Sequence, residues 1–185
     1  MDKRLLLPIR ILHDFTSRLD DLGISYMLSG SMAMMHYSVY RMTADIDLIL
    51  EITQNDCRRL INALEPDYYV PHDAMRRAID THRMFNAIHI RTAYKVDCVI
   101  KKETEFQRRS FANRELVEFN GKGVWIIGKE DLILSKLSWA KDTNSEMQLR
   151  DIRNLLMTGF DSEYLNWWVN KLEVGHLLQK CLEDL

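Results

Sequence analysis

The chain has 185 residues, 46% hydrophobic and 28% charged, with a formal net charge of −2. That is the balance of an ordinary soluble globular protein, one domain or one domain with a small helical appendage. It excludes a membrane-spanning apolar run, and a charge this close to zero gives no global sign of a nucleic-acid binder.

The elements follow in chain order. Leu5-Leu6-Leu7 is too short for a signal-peptide core, and the chain continues as an amphipathic helix over 9–22, with Ile9, Leu12, Phe15 and Leu19 in register and Gly23 closing it. A cytoplasmic protein is the expectation. A short apolar strand over 24–28 comes next, then a helix opening at Met32 after the turn Gly30-Ser31. Asp45–Glu51 reads as a second strand. Thr53 is placed to cap a helix over 55–64 that stops before Pro66. Asp73 is placed to cap a short helix over 74–79. Residues 85–91 and 95–100 read as an antiparallel hairpin around Thr92-Ala93, and 116–119 with 124–127 as another around Asn120-Gly121-Lys122-Gly123.

From Gly128 onward the pattern is helical. Leu132, Ile133, Leu134, Leu137 and Trp139 are expected to line a buried helix, followed by helices over 149–157, 163–170 and 174–182. The expected architecture is α/β, or α+β: a small mixed β-sheet with flanking helices over 1–127, and a C-terminal helical bundle over 128–185 packed on it. Cys57, Cys98 and Cys181 are widely spaced and suit buried thiols, not a disulfide framework or a zinc site.

Chemistry concentrates in two segments. Side chains at i and i+2 of a strand share a face, so Asp45 and Asp47 sit side by side while Ile46 and Leu48 turn away. Two adjacent carboxylates repel unless a cation lies between them; the usual one is a hard divalent ion such as Mg²⁺, which takes one or two carboxylates plus substrate phosphates. Gly30-Ser31, between a strand and a helix, offers backbone N–H groups and a hydroxyl to a phosphate. A third carboxylate, Asp97, stands alone among Val96, Val99 and Ile100, where burial is costly unless it is paired or metal-bound. Lys136 is a lysine in the apolar stretch 132–139, whose stem could also snorkel over apolar surface. Arg76, Arg77, Arg83, Arg91, Lys95, Lys101, Lys102, Arg108 and Arg109 crowd the middle of the chain and suggest a local basic surface near Asp97.

Gly30-Ser31 followed by Asp45-Ile46-Asp47 resembles the signature of the DNA polymerase β-like nucleotidyltransferase superfamily. Within it, Arg41-x-Thr43-x-Asp45-Ile46-Asp47-Leu48, Ile127–Leu137 and Arg150–Leu156 are similar to the AbiEii-like and minimal nucleotidyltransferases, some of which work in toxin–antitoxin or phage-defence systems. The resemblance covers roughly residues 10–157. It implies transfer of a nucleoside monophosphate from NTP to an acceptor hydroxyl on a protein, a tRNA or a small molecule. Asp45, Asp47 and Asp97 would be the catalytic and Mg²⁺-binding acids. Gly30, Ser31, Arg41 and Lys136 would be the nucleotide-binding residues, with Asp151 orienting Lys136 or Lys141. It further implies a cognate antitoxin or other protein partner. The alternatives are a non-catalytic nucleotide- or partner-binding module on this fold, and an antibiotic nucleotidyltransferase.

Overall fold

The computed structural model describes residues 3–38, 45–143 and 145–185, the side chains from residue 7 onward. One mixed sheet organises the N-terminal two-thirds. Its strands are β1 (Ser25–Ser29), β2 (Asp45–Glu51), β3 (Tyr68–Tyr69), β4 (Met84–His89), β5 (Lys95–Ile100), β6 (Glu115–Phe119) and β7 (Lys122–Ile126), in the spatial order β3-β4-β5-β2-β1-β7-β6. The central pair β2 and β5 is parallel, β1 is antiparallel to β2 and parallel to β7, β4–β5 and β6–β7 are antiparallel hairpins, and β3 adds antiparallel to β4 at one edge.

The helices are α1 (Lys3–Leu22), α2 (Gly30–Tyr37), α3 (Gln54–Leu64), α4 (His72–Thr81), α5 (Glu105–Ala112), α6 (Lys129–Thr143), α7 (Glu146–Leu156), α8 (Ser162–Leu172) and α9 (Gly175–Glu183). The mixed sheet with flanking helices and a helical C-terminal part is the architecture the sequence implies. Strand alternation decides the layering. Ile46, Leu48 and Leu50 of β2 are fully buried, as are Val96 and Cys98 of β5, and they join Phe15, Leu19, Leu60 and Phe85 in one apolar core. That burial, roughly 1.5–3 kcal/mol per large side chain, holds the middle strands in a fixed register. The opposite face of the same strands carries Asp45, Asp47, Lys95 and Asp97. The helical part is tied to the sheet by polar bonds as well as packing. The Ser38 hydroxyl, just after α2, donates to the Asn154 carbonyl of α7 at 3.0 Å, while the Tyr37 hydroxyl donates to the Ile127 carbonyl at 2.7 Å and ties α2 to the end of β7.

Several boundaries differ from the sequence reading. Helix α1 begins six residues before Ile9 and carries Pro8 inside it. Helix α4 starts at His72 with Pro71 at its N-cap, so Asp73 lies in the first turn instead of capping. Helix α5 and the two-residue β3 went unread. Only Phe106, Ser110 and Phe111 of α5 are buried, too few to show a period, and Thr104 starts it by accepting the Gln107 N–H. Trp139 is 60% exposed, against the expectation that it lines a buried helix. The buried residues of α6 are Asp131, Leu132, Ile133, Leu134, Lys136, Leu137 and Ala140, and Trp139 falls on the outward side. Cys57, Cys98 and Cys181 are free and buried, as expected.

Candidate active site

Strand register assembles the site. Asp47 is paired with Asp97 across β2 and β5, Asp45 with Lys95, and Ser29 of β1 with Asp47. The acids from segments 50 residues apart therefore share one sheet face. Asp97 is 8% exposed, Asp47 is half-buried and Asp45 is the most open of the three.

The acids are not equally compensated. The Lys95 ammonium lies 3.0 Å from an Asp97 oxygen and 3.6 Å from Asp45. Its bond to Asp97 holds Lys95 above the ordinary lysine range, so it stays charged. The second Asp97 oxygen accepts the side-chain amide of Asn86, its register partner on β4. Asp47 is pushed up to about 6 by burial first, then by the charges of Asp97 and Asp45, with Lys136 and Lys95 opposing. A carboxylate raised by burial and by like-charged neighbours is a place where a cation or a proton relieves the repulsion.

Gly30 opens α2 beside these acids with φ +63°, a conformation glycine adopts without strain. A Cβ there would come within 1.9 Å of an Asp47 oxygen. The glycine therefore makes room for Asp47 itself, a reason the sequence did not reveal, and a valine at this position cannot leave the local fold intact. Ser31 follows in the first turn of α2, half-buried. Arg41 lies outside the described residues.

Lys136 is 5% exposed, which rules out a snorkelling lysine. Its ammonium donates to Asp151 at 2.9 Å and to Gln148 at 3.1 Å. Asp151 is thus the residue that positions Lys136, while Lys141 binds Glu173 and the Leu172 carbonyl instead. Part of the basic crowd in the middle of the chain is paired away from the acids: Lys101 with Glu51 and Glu103, Arg91 with Asp67, Arg108 with Glu103. Of that crowd, Lys95 is the residue that reaches the acids.

The donor set suits a hard divalent ion, since it offers carboxylate oxygens alone, and the Lys95 ammonium stands in for a cation between two of them. Among the described residues, no three His, Cys, Asp or Glu side chains already converge on a common ion position. Asn86 and Ser29 are the site residues that the sequence reading missed. The observed register centres the hairpin on Arg91-Thr92, whereas a turn centred on Thr92-Ala93 would put Asn86 opposite Val99, so the expected turn did not point to Asn86.

The fold is that of the nucleotidyltransferases. The antibiotic-resistance factor ANT(2'')-Ia, solved in solution, superposes with a TM-score of 0.66 at 15% identity, over 100% of this chain and 99% of that one. The crystal structure of ANT(2'')-Ia with adenylyl-2''-tobramycin gives 0.63 at 15% identity, over 92% and 99%. The lincosamide antibiotic adenylyltransferase LnuA, lincomycin-bound, gives 0.54 at 15% identity, over 84% and 96%. A family model described as "Nucleotidyltransferase of unknown function (DUF6036)" matches residues 10–174, and the chain belongs to that family. No curated protein matches it in sequence. No helix among the described residues is long and apolar enough to cross a membrane.

Proposed function

We propose that this protein transfers a nucleoside monophosphate from an NTP to an acceptor hydroxyl, with Asp45, Asp47 and Asp97 as its catalytic acids. The observation that carries the reading is the β2–β5 register. It sets Asp97 beside Asp47, with Asp45 two residues away on the same face and the glycine-opened N-terminus of α2 packed against Asp47. A helix N-terminus next to acids that can hold metal is a place for a metal-bound triphosphate. Asp45, Asp47 and Asp97 would hold Mg²⁺, which when bound polarises the α-phosphate and neutralises the charge of the leaving group.

The protein's own groups do the rest. Gly30 and Ser31 receive the β- and γ-phosphates at the start of α2. Asp97, fixed by Asn86, accepts the proton of the acceptor hydroxyl. The acceptor oxygen bonds to the α-phosphorus as the bond to the β-phosphate oxygen breaks, and pyrophosphate leaves. Lys136, locked by Asp151 and Gln148, contributes a fixed positive charge that already reaches Asp47. Arg41, just before the acids in the chain, is the further candidate for phosphate.

ANT(2'')-Ia and LnuA act on antibiotics, which makes a hydroxylated small molecule the acceptor to try first. A tRNA or a protein substrate, and a cognate antitoxin, rest on the sequence resemblance. The test is incubation with each α-³²P-labelled NTP, Mg²⁺ and, in separate arms, an aminoglycoside and lincosamide panel, bulk tRNA and cell extract. Label appearing in one acceptor class with stoichiometric pyrophosphate is the expected result. A wild-type protein that binds NTP and labels nothing in any arm would favour the non-catalytic module.

A further inference from the structure

The Lys95 ammonium lies between two of the proposed metal-binding acids. Its nitrogen is 3.0 Å from Asp97 Oδ2 and 3.6 Å from Asp45 Oδ1. The other Asp97 oxygen is taken by Asn86, so both oxygens of that carboxylate are engaged. Among the described residues, no three potential ligands meet at one point. A divalent ion entering here must take oxygens from Lys95, and an ammonium left a few ångströms away would repel it.

Lys95 is less enclosed than Lys136. The Lys95 side chain is 39% exposed, on a flexible four-carbon stem. The Lys136 side chain is 5% exposed and bound on two sides. A triphosphate brings several anionic oxygens to which Lys95 can turn once it releases the acids.

We propose that Lys95 is an internal counter-cation that keeps free divalent metal out of the acid site until a nucleotide phosphate draws it away, so that metal and nucleotide load together. The proposal rests on the reading of Asp45, Asp47 and Asp97 as metal ligands. Register supports it. Lys95 faces Asp45 across the strands and precedes Asp97 by two residues, which fixes it on the acid face in every conformation of β5 that keeps the sheet. Its consequence is positive coupling between metal and nucleotide that depends on one side chain.

The test is Mn²⁺ binding followed by electron paramagnetic resonance, for wild type, Lys95→Met and Lys95→Gln, each with and without a non-hydrolysable α,β-methylene ATP analogue. Circular dichroism checks that each variant is folded, and glutamine keeps most of the stem should methionine disturb the strand. Wild type is expected to bind Mn²⁺ weakly alone and about tenfold or more tightly with the nucleotide, a usual size for coupling between two sites. Both variants are expected to bind Mn²⁺ alone more tightly than wild type does, with the coupling largely gone. Unchanged or weaker Mn²⁺ binding by both folded variants, while wild type still binds Mn²⁺ with nucleotide, overturns the role of Lys95 and leaves the metal site standing. No Mn²⁺ binding by any of the proteins, even with nucleotide, removes the metal site and the Lys95 proposal with it.

Discussion

The sheet and the helical part both bury acids, but they treat them differently. In α6 and α7, Asp151 is fully buried against Lys136, and Asp131, 3% exposed, accepts the Tyr164 hydroxyl at 2.8 Å. Burial and Asp131 push that phenol up to about 12, so it remains a donor at neutral pH. On β2 and β5 three carboxylates lie close together with Lys95 bridging two of them, and Asp47 is raised by burial first and then by its like-charged neighbours. Asp151 is matched by a buried ammonium and Asp131 by the half-buried Tyr164 hydroxyl, which leaves it raised to about 6, whereas the sheet acids crowd against one another. Crowding of like charges, more than burial, distinguishes the proposed site from the helical part.

The largest effect expected falls on the sheet side. Asp97→Asn keeps the shape and the Asn86 contact but loses the proton acceptor. It should cut α-phosphate transfer by roughly 10²–10⁴ while NTP binding is largely retained. A variant that transfers at the wild-type rate would remove Asp97 from the chemistry. On the helical side the same kind of change should act on folding. Asp151→Ala strands the buried Lys136 ammonium and should cost about 3–5 kcal/mol in chemical denaturation. Adding Lys136→Met should recover much of that loss. If the single change costs under about 1 kcal/mol, as for an exposed pair, the two regions do not differ as described.

A smaller effect sharpens the contrast by pH. Burial holds Asp131 up to about 6 in the folded chain, against an ordinary value of 3.8. A carboxyl raised on folding contributes stability that is complete below about pH 3.8 and is lost as pH rises through about 6. Asp131→Asn keeps an acceptor for Tyr164 and removes the titration. Wild type should therefore lose stability relative to this variant between pH 4 and pH 7, by up to about 2–3 kcal/mol. A constant difference across that window would contradict the assignment.

Much of the site was legible because strands have a two-residue period. The alternation in 45–51 put Asp45 and Asp47 on one side and Ile46 and Leu48 on the other, and the structure agrees. Asp97 stood out as an acid in an apolar strand. What the sequence hid was non-local. That Lys95 meets Asp45 depends on the parallel pairing of β2 with β5, and no local pattern encodes that pairing. Gly30 looked like a phosphate turn, yet its tightest neighbour is the Asp47 carboxylate. Asn86 was hidden because the hairpin closes around Arg91-Thr92, which shifts the register by two residues from a turn centred on Thr92-Ala93. Lys136 was correctly singled out as a lysine that needs a reason, and the reason nearest to it is Asp151. Trp139 and α5 were misread or missed because a helix with apolar residues on several sides, or one with few apolar residues, carries little phase information.

The central claim is that the acidic sheet face is a metal–nucleotide centre and the helical acids are scaffold. Thermal unfolding with and without Mg²⁺ and NTP tests it most directly, for wild type, Asp45→Asn/Asp47→Asn and Asp131→Asn. Ligand that binds only the folded state at 100 times its dissociation constant stabilises by about 2.7 kcal/mol, a readily measured shift. The expected result is a Mg²⁺-dependent rise in midpoint with NTP in wild type and in Asp131→Asn, and none in the Asp45/Asp47 double variant. An equal rise in all three proteins would contradict the account.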